Sequence, residues 1–528
     1  MEWMLHRLTK AEFTLRSRTV IDFCIVAIIS GGVAAFFSSS GYVTLLSDTH
    51  SYTQYAVQMV RGQLSEQLAW RTPGYPILLL ITGLTITGSV AGVLAVQAAA
   101  SAAIPAIANS VLQPVNRWIA AVVSGILIIS LIPYLYLDII YPDEIYVFLL
   151  LVVTAATCRW LLTNHPQWLY VAIAFCLIAG WFRPVGLILV VPIFGLALLY
   201  RRDLLHAAIC LALFLAIAIG GPRLERGNLD KSFIGRQAFF DAYMWSDGQH
   251  GAFSSGTAAH ELRQRLKEFF ASNPSRAKLN SLGAASDDAD YERYFGRFSG
   301  HPDAQVAAIF ARPNVLYFWV ISTLSFEEWS GGDLMLLHLT LRHYWNHPLQ
   351  PVRSTFWTYL ALTWGPAWYF HYDNFGLDAM QRDPPIFLPL VKNWGADVVP
   401  ERDYITSLRV FANRALPIPP WALRVRQAFA AEYSILQPTS YVLMIVGVLG
   451  FLWIPGRVRT TALVVFAIHL TNVLVIALLI DPWYRYQAQS VPLAITGAGI
   501  GIYRLITLLP ARRAAVGDLQ PIHTSAKT

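Results

Sequence analysis

The chain has 528 residues, of which 55% are hydrophobic and only 13% charged, and its mean hydropathy is +0.47. A soluble chain carries about 25% charged residues, so this composition excludes an ordinary water-soluble domain, and the recurrence of apolar runs excludes a single anchor. The net charge of +7 gathers at the ends of those runs, a pattern of membrane topology that speaks against a nucleic-acid partner.

Arg7, Lys10, Arg16 and Arg18 precede a first predicted span near residues 20–39. The positive-inside rule places this end in the cytoplasm. No A-x-A-like site follows the run, so no cleavable signal is expected. A polar stretch from Gly41 to about Pro73 then lies outside. The run from Tyr75 to about Thr87 is short for a span, and counting it would break the alternation of charge, so it reads as an interfacial helix. Apolar runs near 88–112, 117–137, 144–163, 167–181, 185–200 and 203–220 follow, with Arg117, Arg159, Arg201 and Arg202 at alternate junctions.

Residues 221–438 are mixed polar and aromatic and hold nine of the 17 tryptophans. By parity they sit outside, and the apolar pieces near 313–325 and 354–370 read as interfacial helices because Trp and Tyr prefer the headgroup region. Runs near 439–454, 460–480 and 487–509 close the chain, with Arg457 and Arg459, then Arg512 and Arg513, on the cytoplasmic side. The expected fold is an all-α polytopic membrane protein of about ten transmembrane helices with a large α-rich insertion on the outer face. Its expected parts are a transmembrane core (1–220) containing the first outer loop (41–87), an outer region (221–438), and C-terminal helices with a tail (439–528).

Cys24, Cys158, Cys176 and Cys210 fall in or beside apolar spans without metal-ligand or redox spacing, and read as packing residues. In the first outer loop, Tyr52, Tyr55, Ala56, Met59 and Val60 recur at helical spacing, with Asp48 at the start and Gly62 as a stop. Asp48 reads as an N-cap, or as a carboxylate at the water–lipid boundary able to take a proton from a hydroxyl. His50 lies two residues on, but two ligands make no metal site, so a divalent metal is not indicated.

A second acidic pair, Asp143 and Glu144, follows Pro142 at the outer end of a span. Compensation of the helix dipole and the handling of hydroxyl substrates both account for it. Arg183, among apolar neighbours, reads either as a phosphate-binding group or as a snorkelling anchor, and Arg485 invites the same two readings.

Asp48, Tyr52, Ala56, Gly62 and the run Arg71-Thr72-Pro73-Gly74-Tyr75-Pro76 together resemble the first-loop signature of the type C (GT-C) membrane glycosyltransferases. That superfamily includes protein O-mannosyltransferases, lipid A aminoarabinose transferases and bacterial lipopolysaccharide-core glycosyltransferases. Asp143-Glu144 resembles its second acidic loop, Arg183-Pro184-Val185-Gly186 a basic turn, and Arg485-Tyr486 its last outer loop. The likeness covers residues 1 to about 200 and, loosely, the final 90 or so. Thr49-His50 stands where some relatives carry a second acidic residue.

The resemblance implies inverting transfer of a sugar from a polyprenyl-phosphate donor to a glycan, lipid or protein hydroxyl on the outer face of a cell inner membrane, with no cofactor. It implies Asp48 as general base and Glu144 or Asp143 as orienting carboxylate. Arg183, Arg485 and Arg71 would hold the donor phosphate, and His50, Tyr52, Tyr75 and Tyr486 would lie in the substrate pocket. No phosphate-binding glycine loop is present in the sequence, which suits a lipid-linked donor. A secondary transporter, and a glycan polymerase or ligase using Arg263 to Lys267, are the competing readings.

Overall fold

The computed structural model describes residues 2–38, 47–61, 72–84, 91–134, 137, 140–200, 204–226, 257–272, 300–311, 332–364, 420–479 and 484–508. Every regular element among them is helical. In the N-terminal half these are α1 (Glu2–Ser38), α2 (Ser47–Arg61), α3 (Gly74–Ile81), α4 (Ala91–Leu112), α5 (Arg117–Ile129), a 3-10 turn (Ile132–Tyr134), α6 (Asp143–Thr163), α7 (Pro166–Phe182), α8 (Val185–Ile188), α9 (Val190–Tyr200) and α10 (Leu204–Arg226). The insertion contributes α11 (Thr257–Ala271), α12 (Pro302–Ala311), α13 (Gly332–Asn346) and α14 (Leu349–Trp364), and α15 (Pro420–Phe451), α16 (Arg457–Leu479) and α17 (Tyr484–Leu508) complete the order.

Among the described residues, five helices are long and apolar enough to cross a membrane: Arg18–Ser38 of α1, α4, α6, Arg457–Leu478 of α16 and Gln489–Leu508 of α17. The other five predicted spans fall on shorter apolar helices. The run read as one span over 117–137 is broken. α5 has 13 residues, about 20 Å at 1.5 Å per residue, and Leu131 then takes a left-handed conformation with φ of 55°. Pro133, which lacks an N–H and fixes its own φ, holds the 3-10 turn that follows. The run over 185–200 is likewise divided, at Leu189, into α8 and α9. α15 begins 19 residues before the predicted 439 and passes through Pro438, so the expected boundary there lies inside a helix.

Helix α6 is the most buried of the five spans and α1 the least. Around α6 pack α4, α7, α16 and α17, and their apolar side chains merge into two adjoining cores, in which Cys158, Cys176 and Cys210 serve as packing residues. Isoleucines such as Ile21, Ile25, Ile28 and Ile29 of α1 remain exposed, the outward apolar surface that lipid solvates at no cost.

Helices α15 and α17 cross closely. A Cβ on Gly501 would stand 1.8 Å from the carbonyl oxygen of Leu443, and one on Gly447 would stand 2.8 Å from the Gly501 nitrogen. Small residues permit this approach, from which dispersion and backbone contacts stabilise helix pairs in lipid. α1 is tied on differently. Asp22 accepts hydrogen bonds from Arg117 Nε (2.7 Å) and Nη2 (2.8 Å) and from Gln113 Nε2 (3.0 Å), clamping α1 to the α4–α5 turn.

Candidate functional site

The first-loop helix forms where the apolar spacing places it, from Ser47 to Arg61. Tyr52, Tyr55 and Ala56 turn into the protein, whereas Val60 is exposed. The Tyr52 ring meets Tyr75 of α3 edge-on at 5.4 Å and Tyr141 at 6.2 Å. Tyr141 lies two residues before Asp143. The first-loop helix is thereby docked beside the start of α6, with Asp48 one turn before Tyr52.

Pro142 occupies the N-cap position of α6, and Asp143 and Glu144 fill its first turn. Both carboxylates are buried, at 0% and 1% relative exposure. Dipole compensation alone does not account for that burial, because a dipole term of this kind is available at an exposed helix end. Asp143 is neutralised by Arg183, whose Nη2 donates to Oδ1 at 2.7 Å and to Oδ2 at 2.6 Å. Gln489 Nε2 of α17 also donates to Asp143 Oδ1.

Arg183 is the C-cap of α7, with extended backbone at φ −145° and ψ 126°. Pro184 disfavours the helical region for the residue before it, so the helix ends there and the guanidinium swings onto α6. The turn is tight: a Cβ on Gly186 would stand 2.4 Å from the Ala179 carbonyl carbon.

Glu144 differs from its neighbour. Its Oε1 has no hydrogen-bond partner among the described residues. The Ser101 hydroxyl of α4 lies close enough to interact with the Glu144 carboxyl, though without the geometry of a full hydrogen bond. A buried polar group left in this condition costs about 1–3 kcal/mol. One turn before Ser101, Gln97 accepts a hydrogen bond from the Tyr75 hydroxyl (2.8 Å) and donates to the Leu137 carbonyl (3.1 Å). The phenol of Tyr134 is hydrogen-bonded to Ser30 of α1 at 2.7 Å.

Deeper in α6, the Tyr146 hydroxyl donates to Asn472 Oδ1 of α16 at 2.7 Å. The cluster therefore draws on α4, α6, α7, α16 and α17, and it is walled by Tyr52 and Tyr75. Ionisable and amide groups gathered among apolar helices are expensive to keep, which makes this cluster the candidate site.

Of the residues singled out from sequence, Asp143, Glu144 and Arg183 come together, and Tyr52 and Tyr75 are buried beside them. Asp48 and His50 lie in the first turn of α2, and Arg485 and Tyr486 in the first turn of α17; their side chains, and the whole of Arg71, are outside the described residues. Sequence reasoning missed Gln489, Gln97, Ser101 and the Tyr146–Asn472 pair. The available signal was an amide inside an apolar run. Among the described residues no group of three or more His, Cys, Asp or Glu side chains is placed to hold a metal ion. Compared with known proteins, the chain matches no family model, no curated protein and no solved structure.

Proposed function

We propose that this protein is an inverting glycosyltransferase of the cell inner membrane, with about ten spans and both termini cytoplasmic. It moves a sugar from a polyprenyl-phosphate donor to a hydroxyl acceptor at the outer face. One observation carries the reading: three motif stretches separated along the chain meet at one place, with Tyr52 against Tyr141 and Arg183 on Asp143.

The chemistry asks little beyond positioning and charge stabilisation, because a lipid phosphate is a competent leaving group. Asp48 takes the acceptor proton as general base. Glu144, with unused hydrogen-bonding capacity, orients a sugar or acceptor hydroxyl. Asp143 is a positioning residue that fixes Arg183, and Arg183, with Arg485 and Arg71, balances charge on the departing phosphate.

The test is a transfer assay on the purified full chain, with a panel of polyprenyl-phosphate sugars and release of polyprenyl phosphate as readout. Release by the wild type that disappears in Asp48→Asn, with an unchanged melting temperature, is the expected result. Equal release by both proteins removes Asp48 from the mechanism.

A second reading, a proton-coupled transporter, draws on the buried Glu144 itself, since membrane carboxylates also serve proton relays. Solute uptake into proteoliposomes driven by a pH gradient, without polyprenyl phosphate release, would establish it instead.

A further inference from the structure

Helix α14 lies against the spanning helix α16, and the two leave an open groove of about 570 Å³ between them. Val352, Thr355, Phe356 and Tyr359 form its wall on α14. Leu470, Leu474 and Leu478, a stripe at four-residue spacing, form the wall on α16. Each stripe runs eight residues or so, about 12 Å of helix. Only the Thr355 and Tyr359 hydroxyls interrupt an otherwise apolar lining. One wall belongs to a helix long and apolar enough to cross a membrane, and an apolar slot along such a helix fits a hydrocarbon chain.

The neighbouring residues in the sequence bear on the chemistry of the other end. Trp345 of α13 is 86% exposed and Trp357 of α14 is also exposed, and exposed tryptophans of membrane proteins seek the headgroup level. Arg353, next in the chain to the groove residue Val352, is exposed, as is Arg342 of α13. Neither has an ion-pair partner among the described residues. Asp333, at the far end of α13, is the sole acid in the sequence from 332 to 364. An exposed arginine beside an apolar slot, in a stretch with a single acid, fits a lipid with an anionic head better than a zwitterionic one.

We propose that the α14–α16 groove is a binding site for an anionic phospholipid, with one acyl chain along the leucine stripe and the phosphate held by Arg353. This proposal does not rest on the transferase reading. The site holds α14 against α16 from the lipid side.

Native mass spectrometry of the delipidated full chain, titrated with phosphatidylglycerol or phosphatidylcholine of equal chain length, tests it. Phosphatidylglycerol is expected to bind at least about tenfold more tightly. Arg353→Glu is expected to reduce it to the phosphatidylcholine level. Thr355→Trp, or Leu474→Phe where the first variant folds poorly, is expected to weaken both lipids by filling the slot. Equal affinity of the wild type for the two lipids overturns the proposal, as does undiminished binding to a folded groove-filled variant. Displacement of phosphatidylglycerol by equimolar undecaprenyl phosphate also overturns it, and gives the groove to a polyprenyl chain.

Discussion

Replacing Arg183 with methionine removes the charge that balances Asp143, in a place where Asp143 is fully buried. Breaking a buried pair from one side costs about 3–5 kcal/mol, whereas replacing both partners with apolar residues is often close to neutral. Arg183→Met is therefore expected to lower the melting temperature sharply. Asp143→Leu combined with Arg183→Met is expected to recover much of that loss in a detergent melt, and failure of the pair to recover would show that Arg183 is anchored by other groups. Glu144→Gln makes the contrasting case, because the side chain keeps its shape and its Oε1 has no partner to lose. Its melting temperature is expected to stay within about a degree or two of wild type while transfer falls at least about tenfold. Unchanged transfer would release Glu144 from the site. Asp143, Glu144 and Arg183 were legible in the sequence as costly charges in apolar company, but their partnership was not. The ion pair spans 40 residues of chain and the Gln489 contact 346, and hydropathy carries no information about which of several buried polar groups will meet. Gln489 in particular is chemically unremarkable until α17 lies beside α6.

At the scale of elements, the crossing of α15 and α17 depends on the absence of side chains. Gly501→Val would drive a Cβ into the Leu443 carbonyl, where the opposing atom is backbone and cannot turn aside. A loss of several kcal/mol, or failure to fold, is expected from overpacking of this kind. Gly125→Ala in α5 is the control, since nothing lies within 4 Å of its added carbon; it is expected to melt at or slightly above the wild-type temperature, by helix propensity. Equal melting of the two variants would mean that the crossing is looser than described. Long apolar helices were legible here because length and composition suffice to announce them. The break at Leu131 was not, since Ile126, Leu127, Ile128, Ile129, Leu131 and Ile132 continue an apolar run across it, and only the backbone conformation interrupts the helix. The extension of α15 back to Pro420 was hidden for the opposite reason, because its first half carries Arg424 and Arg426.

For the whole molecule, orientation is the first quantity to measure. Single cysteines placed in a background with Cys24, Cys158, Cys176 and Cys210 replaced, and probed with a membrane-impermeant maleimide, report the side of each turn. A cysteine at Gly456, beside Arg457, is expected to react only from the cytoplasmic side. One at His301, before α12, is expected to react only from the outer side. Labelling of both from one side would reverse the parity on which the outer placement of 221–438 rests. The region 221–438 was legible as a change of composition after Gly221, and the helix expected near 354–370 overlaps α14, whereas that near 313–325 lies outside the described residues; α11 to α13 were not legible, because short helices of mixed composition carry a weak periodic signal.

The clamp between Asp22 and Arg117 sets an order of assembly. The α1 carboxylate must wait for 95 further residues before its guanidinium exists. Until then Asp22 lacks the Arg117 and Gln113 donors that hold it in the folded protein. Completion of the α4–α5 hairpin ends that interval. The contact that ties α1 to the α4–α5 turn is thus completed only once that hairpin is in place, closing backwards along the chain.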